Sequence, residues 1–174
     1  MKKNWKYSLL LIATVFALTM GIFFLFYRFD NKYTARGDQA IQGILYVSDD
    51  DSVHYLAREW EYYPDALLTP EDDLDKYYFR YISIGEYGGM ELGNSGRSPY
   101  GSGTYRLKIM LPAEQHTYGL YLPEIFSAYN LYVDGVLVGQ MGNPDPDHYV
   151  ERTQNRMFTF KANTSLEILI AVTD

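Results

Sequence analysis

The sequence predicts an all-β domain, a sandwich or a jelly roll, preceded by one N-terminal transmembrane helix. An uncharged apolar stretch occupies residues 7–27. After it come short apolar runs that alternate with a period of two and are separated by turn residues. Such alternation is typical of strands with one buried face, and many short strands with few helices indicate a sandwich or a jelly roll.

The apolar stretch has the length of a membrane-spanning helix. It contains 21 residues without a charge, Tyr7–Tyr27, and about 20 apolar residues cross a hydrocarbon core. A cleaved secretory signal has a shorter apolar region that ends in small residues, whereas Phe24–Tyr27 are bulky. We therefore expect a signal anchor in the cell membrane, with residues 1–6 as a tail and residues 28–39 as a linker to a domain at residues 40–174. A six-residue basic tail is cytoplasmic by default, which would make the domain extracytoplasmic.

The residues that flank the stretch do not decide its orientation, because each side carries three Lys or Arg residues. These are Lys2, Lys3 and Lys6 on one side and Arg28, Lys32 and Arg36 on the other. Within the stretch, Ala13, Ala17 and Gly21 are spaced by four and share one helix face, where a second helix could approach closely. They are the candidate contact for a homodimer, although alanine is common in such helices.

The charge is divided unevenly along the chain. From Gly37 onward there are 9 basic and 21 acidic residues. A domain this acidic repels phosphates, so nucleic acid is excluded as a partner. The chain contains no cysteine, which excludes disulfides, thiolate catalysis and cysteine-bound zinc.

Alternating apolar residues place nine strands in the domain. Tyr105, Leu107 and Ile109 form one clear stripe, and Leu166–Val172 forms another. Asp134-Gly135 joins two such runs and indicates a hairpin, because both residues tolerate positive φ. The predicted strands are residues 41–47, 60–63, 79–84, 104–111, 118–122, 129–133, 136–139, 156–161 and 166–172.

We expect one short helical segment in the domain, at residues 64–74, where Thr69 could cap a helix that begins at Pro70. The last strand reaches Asp174 without a turn, so we expect the natural domain to continue past this residue. The side chains expected in the core are Trp60, Tyr105, Leu107, Leu120, Leu131, Val133, Ile168 and Ile170.

Motifs that would carry chemistry are weak. The histidines at 54, 116 and 148 lack the spacing of metal ligands on a helix. The acids of 143–147 alternate as in an EF-hand, but His148 and Gln154 replace the required Gly and Glu, so only a different calcium geometry stays open. Paired carboxylates for glycoside hydrolysis have no spacing signature here. We expect no metal, no cofactor and no catalytic residue. The 18 tyrosines could form sugar-stacking platforms, although tyrosine also favours strands.

Three stretches resemble a known domain: residues 56–63 with 66–72, residues 103–112, and residues 118–139, which read YGLYLPEIFSAYNLYVDGVLVG. They are similar to the extracellular galactose-binding-like jelly roll of bacterial seven-transmembrane receptors with diverse intracellular signalling modules, and of related histidine kinases and diguanylate cyclases. The same strand pattern occurs in the sugar-binding domain of family-2 glycoside hydrolases. This chain departs from the pattern at Asp134, where Asn is usual, and in a loop with two prolines after the hairpin.

The resemblance implies the ligand-sensing domain of a membrane receptor for signal transduction, such as a two-component histidine kinase. The chain would continue past residue 174 into further transmembrane helices and a cytoplasmic output domain, so these residues are not expected to form an enzyme. One alternative is a carbohydrate-binding accessory module of an envelope or secreted glycoside hydrolase, and another is a structural part of an envelope enzyme complex. The ligand would be a small molecule or a carbohydrate. The candidate ligand-binding residues flank the hairpin and the glycine-rich segment 96–103: Tyr87, Arg97, Tyr100, Gln140, His148, Glu151 and Arg152.

Overall fold

The computed structural model describes residues 2–30, 37–48, 53–84, 100–112 and 116–174. The chain divides into two compact units, Met1–Arg36 and Gly37–Asp174. The first unit contains helix α1, Lys2–Asp30. Its segment Trp5–Arg28, with a mean hydropathy of 2.6, is long and apolar enough to cross a membrane, a property that a signal sequence near the N-terminus shares.

The described residues of the second unit contain nine strands, and each coincides with one of the nine predicted strands. The prediction of these strands is therefore confirmed, with ends displaced by a few residues. The strands are β1 Ile44–Tyr46, β2 Trp60–Pro64, β3 Arg80–Ile82, β4 Ser102–Met110, β5 His116–Leu122, β6 Ala128–Val133, β7 Val136–Met141, β8 Arg156–Ala162 and β9 Ser165–Thr173.

Two sheets face each other across the core. The large sheet has the order β3-β2-β4-β9-β6-β7, and the small sheet pairs β5 with β8. Strand β1 lies parallel to β4 beyond the end of β2, because β2 pairs with Gly103–Arg106 and β1 with Lys108–Met110. The chain crosses from β4 to the small sheet, returns for β6 and β7, and crosses again through β8 to β9. The prediction of an all-β sandwich preceded by one apolar helix is confirmed.

The core lies between the two sheets and joins side chains from both. Six of the eight predicted core residues are buried, and Tyr105 and Leu120 are partly buried against the same cluster. The six buried residues are Trp60, Leu107, Leu131, Val133, Ile168 and Ile170.

The hairpin between β6 and β7 turns at Asp134 and Gly135, as predicted. Both residues have positive φ, 47° and 80°, which is the backbone of a type I′ turn. The turn is bound to strand β9, because the Asp134 N–H donates to the Glu167 carbonyl oxygen (2.9 Å) and the Asp134 side chain accepts from the Glu167 N–H (2.8 Å).

The large sheet is also covered on the face that points away from the core, which we call the outer face. Thr104, Leu169, Ala171 and Thr173 lie on this face and are buried. Two loops lie over it: the first covering loop, residues 65–73, and the second covering loop, residues 142–150. Strand β9 is thus buried on both sides, which explains its nearly continuous apolar sequence.

The predicted helix at residues 64–74 is wrong. Pro64 ends β2, and the only helical residues in this part of the described chain are a short 3₁₀ turn at Leu74–Lys76. Instead of capping a helix, the Thr69 N–H and hydroxyl both donate to the carboxylate of Asp72 (2.7 and 2.9 Å). The backbone just before Thr69 is bound to the sheet, so it cannot form helical hydrogen bonds.

Candidate functional site

Two buried threonine hydroxyls fix the two covering loops to the sheet. The Thr104 hydroxyl donates to the Ala66 carbonyl (2.7 Å) and accepts from the Leu68 N–H (2.8 Å), which holds the first covering loop on β4. The Thr173 hydroxyl donates to the Pro144 carbonyl (2.5 Å), which holds the second covering loop on β9. Each hydroxyl supplies hydrogen bonds to loop backbone groups that would otherwise have no partner. Both loops therefore have a defined position over the sheet.

A cavity of about 240 Å³ lies between the two covering loops. Its floor is the outer face of β6 and β9, and each loop supplies one wall. The lining residues are Asn130, Tyr132 and Ala171 on the floor, Leu67, Leu68 and Thr69 on one wall, and Asn143, Pro144, Asp145 and Pro146 on the other.

The floor belongs to one row of residues that runs across four strands of the large sheet. Thr104 pairs with Ala171, Ala171 with Asn130, and Asn130 with Gln140. Directly opposed residues share a face, so all four lie on the outer face. The side-chain oxygen of Asn130 is buried and has no hydrogen-bond partner among the residues that the structure describes. Such a group costs free energy until a donor reaches it.

The wall formed by the second covering loop is rigid and carries a charge. The Asn143 side chain accepts from the Asp145 N–H (3.2 Å) and donates to the His148 carbonyl (2.9 Å). The Asp145 carboxylate is bonded to the His148 ring (2.9 Å) and accepts from the Asp147 N–H (3.0 Å). These two hydrogen bonds hold the pKa of Asp145 below its usual range, so this carboxylate is ionised at neutral pH.

The opposite wall is ordered in a similar way. The backbone N–H and the hydroxyl of Thr69 lower the pKa of Asp72, the carboxylate to which both donate. Since the Thr69 hydroxyl hydrogen points to Asp72, only the lone pairs of its oxygen are available to the cavity. Asp145 lines the cavity, whereas Asp72 belongs to the first covering loop outside the lining, and each carboxylate is ionised at neutral pH and fixed by its own loop.

None of the described candidate ligand-binding residues lines this cavity. His148 is bonded to the wall residue Asp145, and Gln140 is exposed beside the floor residue Asn130. Glu151 and Arg152 are exposed just after the second covering loop. Tyr100 is exposed next to Gly101, whose backbone pairs with Asp174. Tyr87 and Arg97 lie outside the described residues.

The residues that line the cavity were missed by sequence reasoning, above all Asn130 and Asp145. One signal was present: β9 reads as a nearly continuous apolar run, which indicates a strand covered on both faces. A covered outer face implies that the alternate positions of the neighbouring strand β6, including Asn130 and Tyr132, face a second buried layer. Which segments cover this face depends on the tertiary fold, and no local sequence pattern specifies it.

The described part of the chain has no cluster of side chains that could bind a metal ion. Among the described residues, no group of three or more His, Asp or Glu side chains is placed to hold a metal ion. The alternating polar residues Asn143, Asp145 and Asp147 use their side chains and N–H groups in tight turns of the loop itself.

The fold and the cavity together define a β-sandwich domain with a small polar pocket on the outer face of its large sheet. No known protein-family model matches the chain, and no curated protein matches it. Among solved structures, it is similar to a GH2 β-galacturonidase from Eisenbergiella tayi, with 15% identity and a TM-score of 0.43 over 66% of this chain. It is also similar to a β-glucuronidase from Faecalibacterium prausnitzii, with 15% identity and a TM-score of 0.47 over 68% of this chain. The chain spans only 17% and 20% of the length of these two proteins. Similarity at these TM-scores says nothing about the function of the chain.

Proposed function

We propose that this chain is the extracytoplasmic ligand-binding domain of a bacterial membrane signalling receptor, held to the membrane by α1. The observation that supports the proposal is the cavity of about 240 Å³ between two fixed loops, with an unpartnered buried amide oxygen in its floor. A buried polar group without a partner is rare in a folded protein, and a ligand donor that met this oxygen after the amide rotated would satisfy it. The role is binding rather than catalysis.

A ligand in this cavity would touch both covering loops at once. The first covering loop is fixed to β4 through Thr104 and the second to β9 through Thr173, so the ligand would connect two groups of residues that are otherwise joined only through the sheet. Binding can transmit a signal if the ligand prefers one arrangement of the loops over another. The output of that signal would belong to a module outside these residues.

The cavity is tested by a thermal-shift screen of the full chain in detergent against sugars, organic acids, amines and Ca²⁺. We expect one class of compound to raise the unfolding midpoint in a concentration-dependent and saturating way, because it binds only the folded state. The matched variant is Ala171→Met, which fills the floor of the cavity with a flexible side chain. We expect its midpoint to be unresponsive to the same compound.

Two results would contradict this proposal. An equal shift in the parent and in Ala171→Met would place the binding site elsewhere. The absence of any shift across the screen would argue against a small-molecule pocket. Circular dichroism of Ala171→Met at the working temperature verifies that the variant is folded.

The membrane placement is tested by cysteine labelling, since the chain has no native cysteine. Thr159→Cys lies at an exposed position of β8, and Asn4→Cys precedes the apolar segment Trp5–Arg28. In spheroplasts we expect a membrane-impermeant maleimide to label the cysteine at 159 at once and the cysteine at 4 only after permeabilisation. The reverse pattern would invert the topology, and release of the labelled domain into the medium would identify a cleaved signal sequence.

A carbohydrate-binding accessory module is the second candidate, favoured by an aromatic surface on β3. The Phe79 ring lies 5.5 Å from both Tyr63 and Tyr81, at 75° to the latter, and Phe79 and Tyr81 are 38% and 41% exposed. Sugars stack on such rings. Binding of an oligosaccharide that is lost in Tyr81→Ala and retained in Ala171→Met would identify this surface as the site and favour the accessory module.

A further inference from the structure

Several acceptors in the cavity keep capacity for a ligand. The amide nitrogen and oxygen of Asn143 are both bonded within the second covering loop. The Thr69 hydroxyl donates its hydrogen to Asp72. Free acceptor capacity lies on the Asn130 oxygen, the lone pairs of Thr69 and the carboxylate of Asp145. Among the described residues, the unbonded donors of the floor are the Asn130 amide N–H groups and the Tyr132 hydroxyl. Each Asp145 oxygen has one bond, while a carboxylate offers about four lone-pair sites.

Rotation of the Asn130 amide would turn its buried, unpartnered oxygen toward a donor that enters the cavity. This oxygen belongs to a terminal amide, whose torsion has a broad energy profile, and the side chain lines the floor between the walls. A ligand that donates a hydrogen bond here would remove the cost of a buried, unpaired acceptor. A ligand that presents only acceptors would leave that cost in place and add repulsion from Asp145.

The charge around the cavity has one sign. The two covering loops together contain six carboxylates, one histidine and no Lys or Arg. On the same face of the sheet, the guanidinium of Arg106 is bonded to Glu61 and Glu167, so it does not offset these carboxylates at the cavity. A cleft lined by one sign of charge concentrates ions of the opposite sign.

The shape of the cavity limits the size of the ligand. Its volume of about 240 Å³ is below the range of roughly 300–1,000 Å³ that is usual for drug-sized ligands. The floor adds the ring of Tyr132, and two prolines flank the Asp145 wall. An aromatic face attracts a cation, and the apolar proline rings suit the short carbon chain that carries it.

We infer that the ligand of this cavity is a small organic ammonium compound, a primary amine or short diamine, bound through N–H donors to Asn130 and Asp145. This inference rests on the proposed ligand-binding function and specifies the chemical class of the ligand. Neutral polyols share the donor capacity but not the charge, and carboxylates have neither.

The test compares three probes of equal length and different charge on the full chain in detergent: 1,4-diaminobutane, 1,4-butanediol and succinate. Isothermal titration calorimetry measures each affinity at low salt. We expect diaminobutane to bind and to raise the unfolding midpoint, with butanediol at least about tenfold weaker, because hydrogen bonds to charged groups contribute more than neutral ones. Succinate should not bind.

Three variants connect the affinity to the residues. Asp145→Asn should weaken diaminobutane by about tenfold or more, whereas Asp147→Asn removes an equal charge two residues away and should cost only about twofold. Asn130→Leu should abolish binding without lowering the midpoint of the free protein, because it removes the unpartnered amide. This last result separates a lost contact from a lost fold.

The outcomes are distinguishable. Equal or tighter binding of butanediol, any binding of succinate, or equal losses in the two aspartate variants would overturn the ammonium inference while leaving a ligand pocket in place. Failure of all three probes would also overturn it. The proposed function itself fails if the wider screen of the parent chain finds no ligand of any class, or finds only compounds that shift the Ala171→Met variant equally.

Discussion

Replacing Gly142 with alanine is expected to lower the free energy of unfolding by about 3 kcal/mol. Gly142 has φ of +65°, and a Cβ at this position would meet the carbonyl oxygen of Val150, which is backbone and cannot move aside cheaply. The left-handed conformation costs an alanine about 1–2 kcal/mol, and overpacking adds about 1–3 kcal/mol. Chemical denaturation of the full chain in detergent measures the change.

The matched control is Gly135→Ala in the β6–β7 hairpin. Gly135 also has positive φ, +80°, but its nearest neighbour to an added Cβ is Pro70 at 3.8 Å, an ordinary contact. This variant should lose only the conformational part, about 1 kcal/mol. If both glycine variants lost the same stability, the close approach of Gly142 and Val150 would not be the cause.

Replacing Arg106 with methionine is expected to cost about 2–4 kcal/mol. The guanidinium bonds Glu167 (2.7 and 2.9 Å) and Glu61 (3.2 Å) on the outer face, and the Arg106 and Glu61 side chains are only 16% and 14% exposed. Removing one partner of a largely buried ion pair leaves a charge without compensation, which costs about 3–5 kcal/mol when burial is complete. The remaining exposure reduces this figure.

A variant that also neutralises the carboxylates of Glu61 and Glu167 tests this prediction. The triple variant Arg106→Met, Glu61→Gln, Glu167→Gln should recover most of the lost stability, because neutral replacements of a buried ion cluster are often tolerated. A deficit that persists in the triple variant would assign the effect to packing alone.

Tyr63 is hydrogen-bonded to the ion cluster of Arg106, Glu61 and Glu167 through Glu61. Its hydroxyl donates to Glu61 (2.9 Å), and burial together with this hydrogen bond raises the pKa of Tyr63 to about 12. The tyrosine is therefore a neutral donor at any physiological pH. It helps to satisfy the Glu61 carboxylate, and it places this polar group beside the aromatic surface of Phe79 and Tyr81.

The strands could be predicted from the sequence because their signal is local. Alternation along β4 and β9 requires only a period of two and one buried face, and the Asp134-Gly135 turn requires only two residues that accept positive φ. The order of the strands could not be predicted in this way. Nothing in the sequence of β9 says that it lies between β4 and β6, or that β1 runs parallel to β4.

The cavity was beyond prediction for a related reason. The turn chemistry of residues 64–74 resembles a helix start, but Thr104, more than thirty residues away, takes the Ala66 carbonyl and the Leu68 N–H. This competition decides the local structure, and it is visible only in three dimensions. Asn130 likewise reads as an ordinary exposed strand residue until two distant loops are placed over it.

The central position of β9 has a consequence for how the domain is made. Strand β9 comes after all the other strands in sequence, yet it pairs along its length with both β4 and β6. The segments β1–β4 and β6–β7 therefore cannot join into one sheet until β9 has been synthesised. A nascent chain with this topology stays open through most of its synthesis, because the sandwich can close only once β9 has been made.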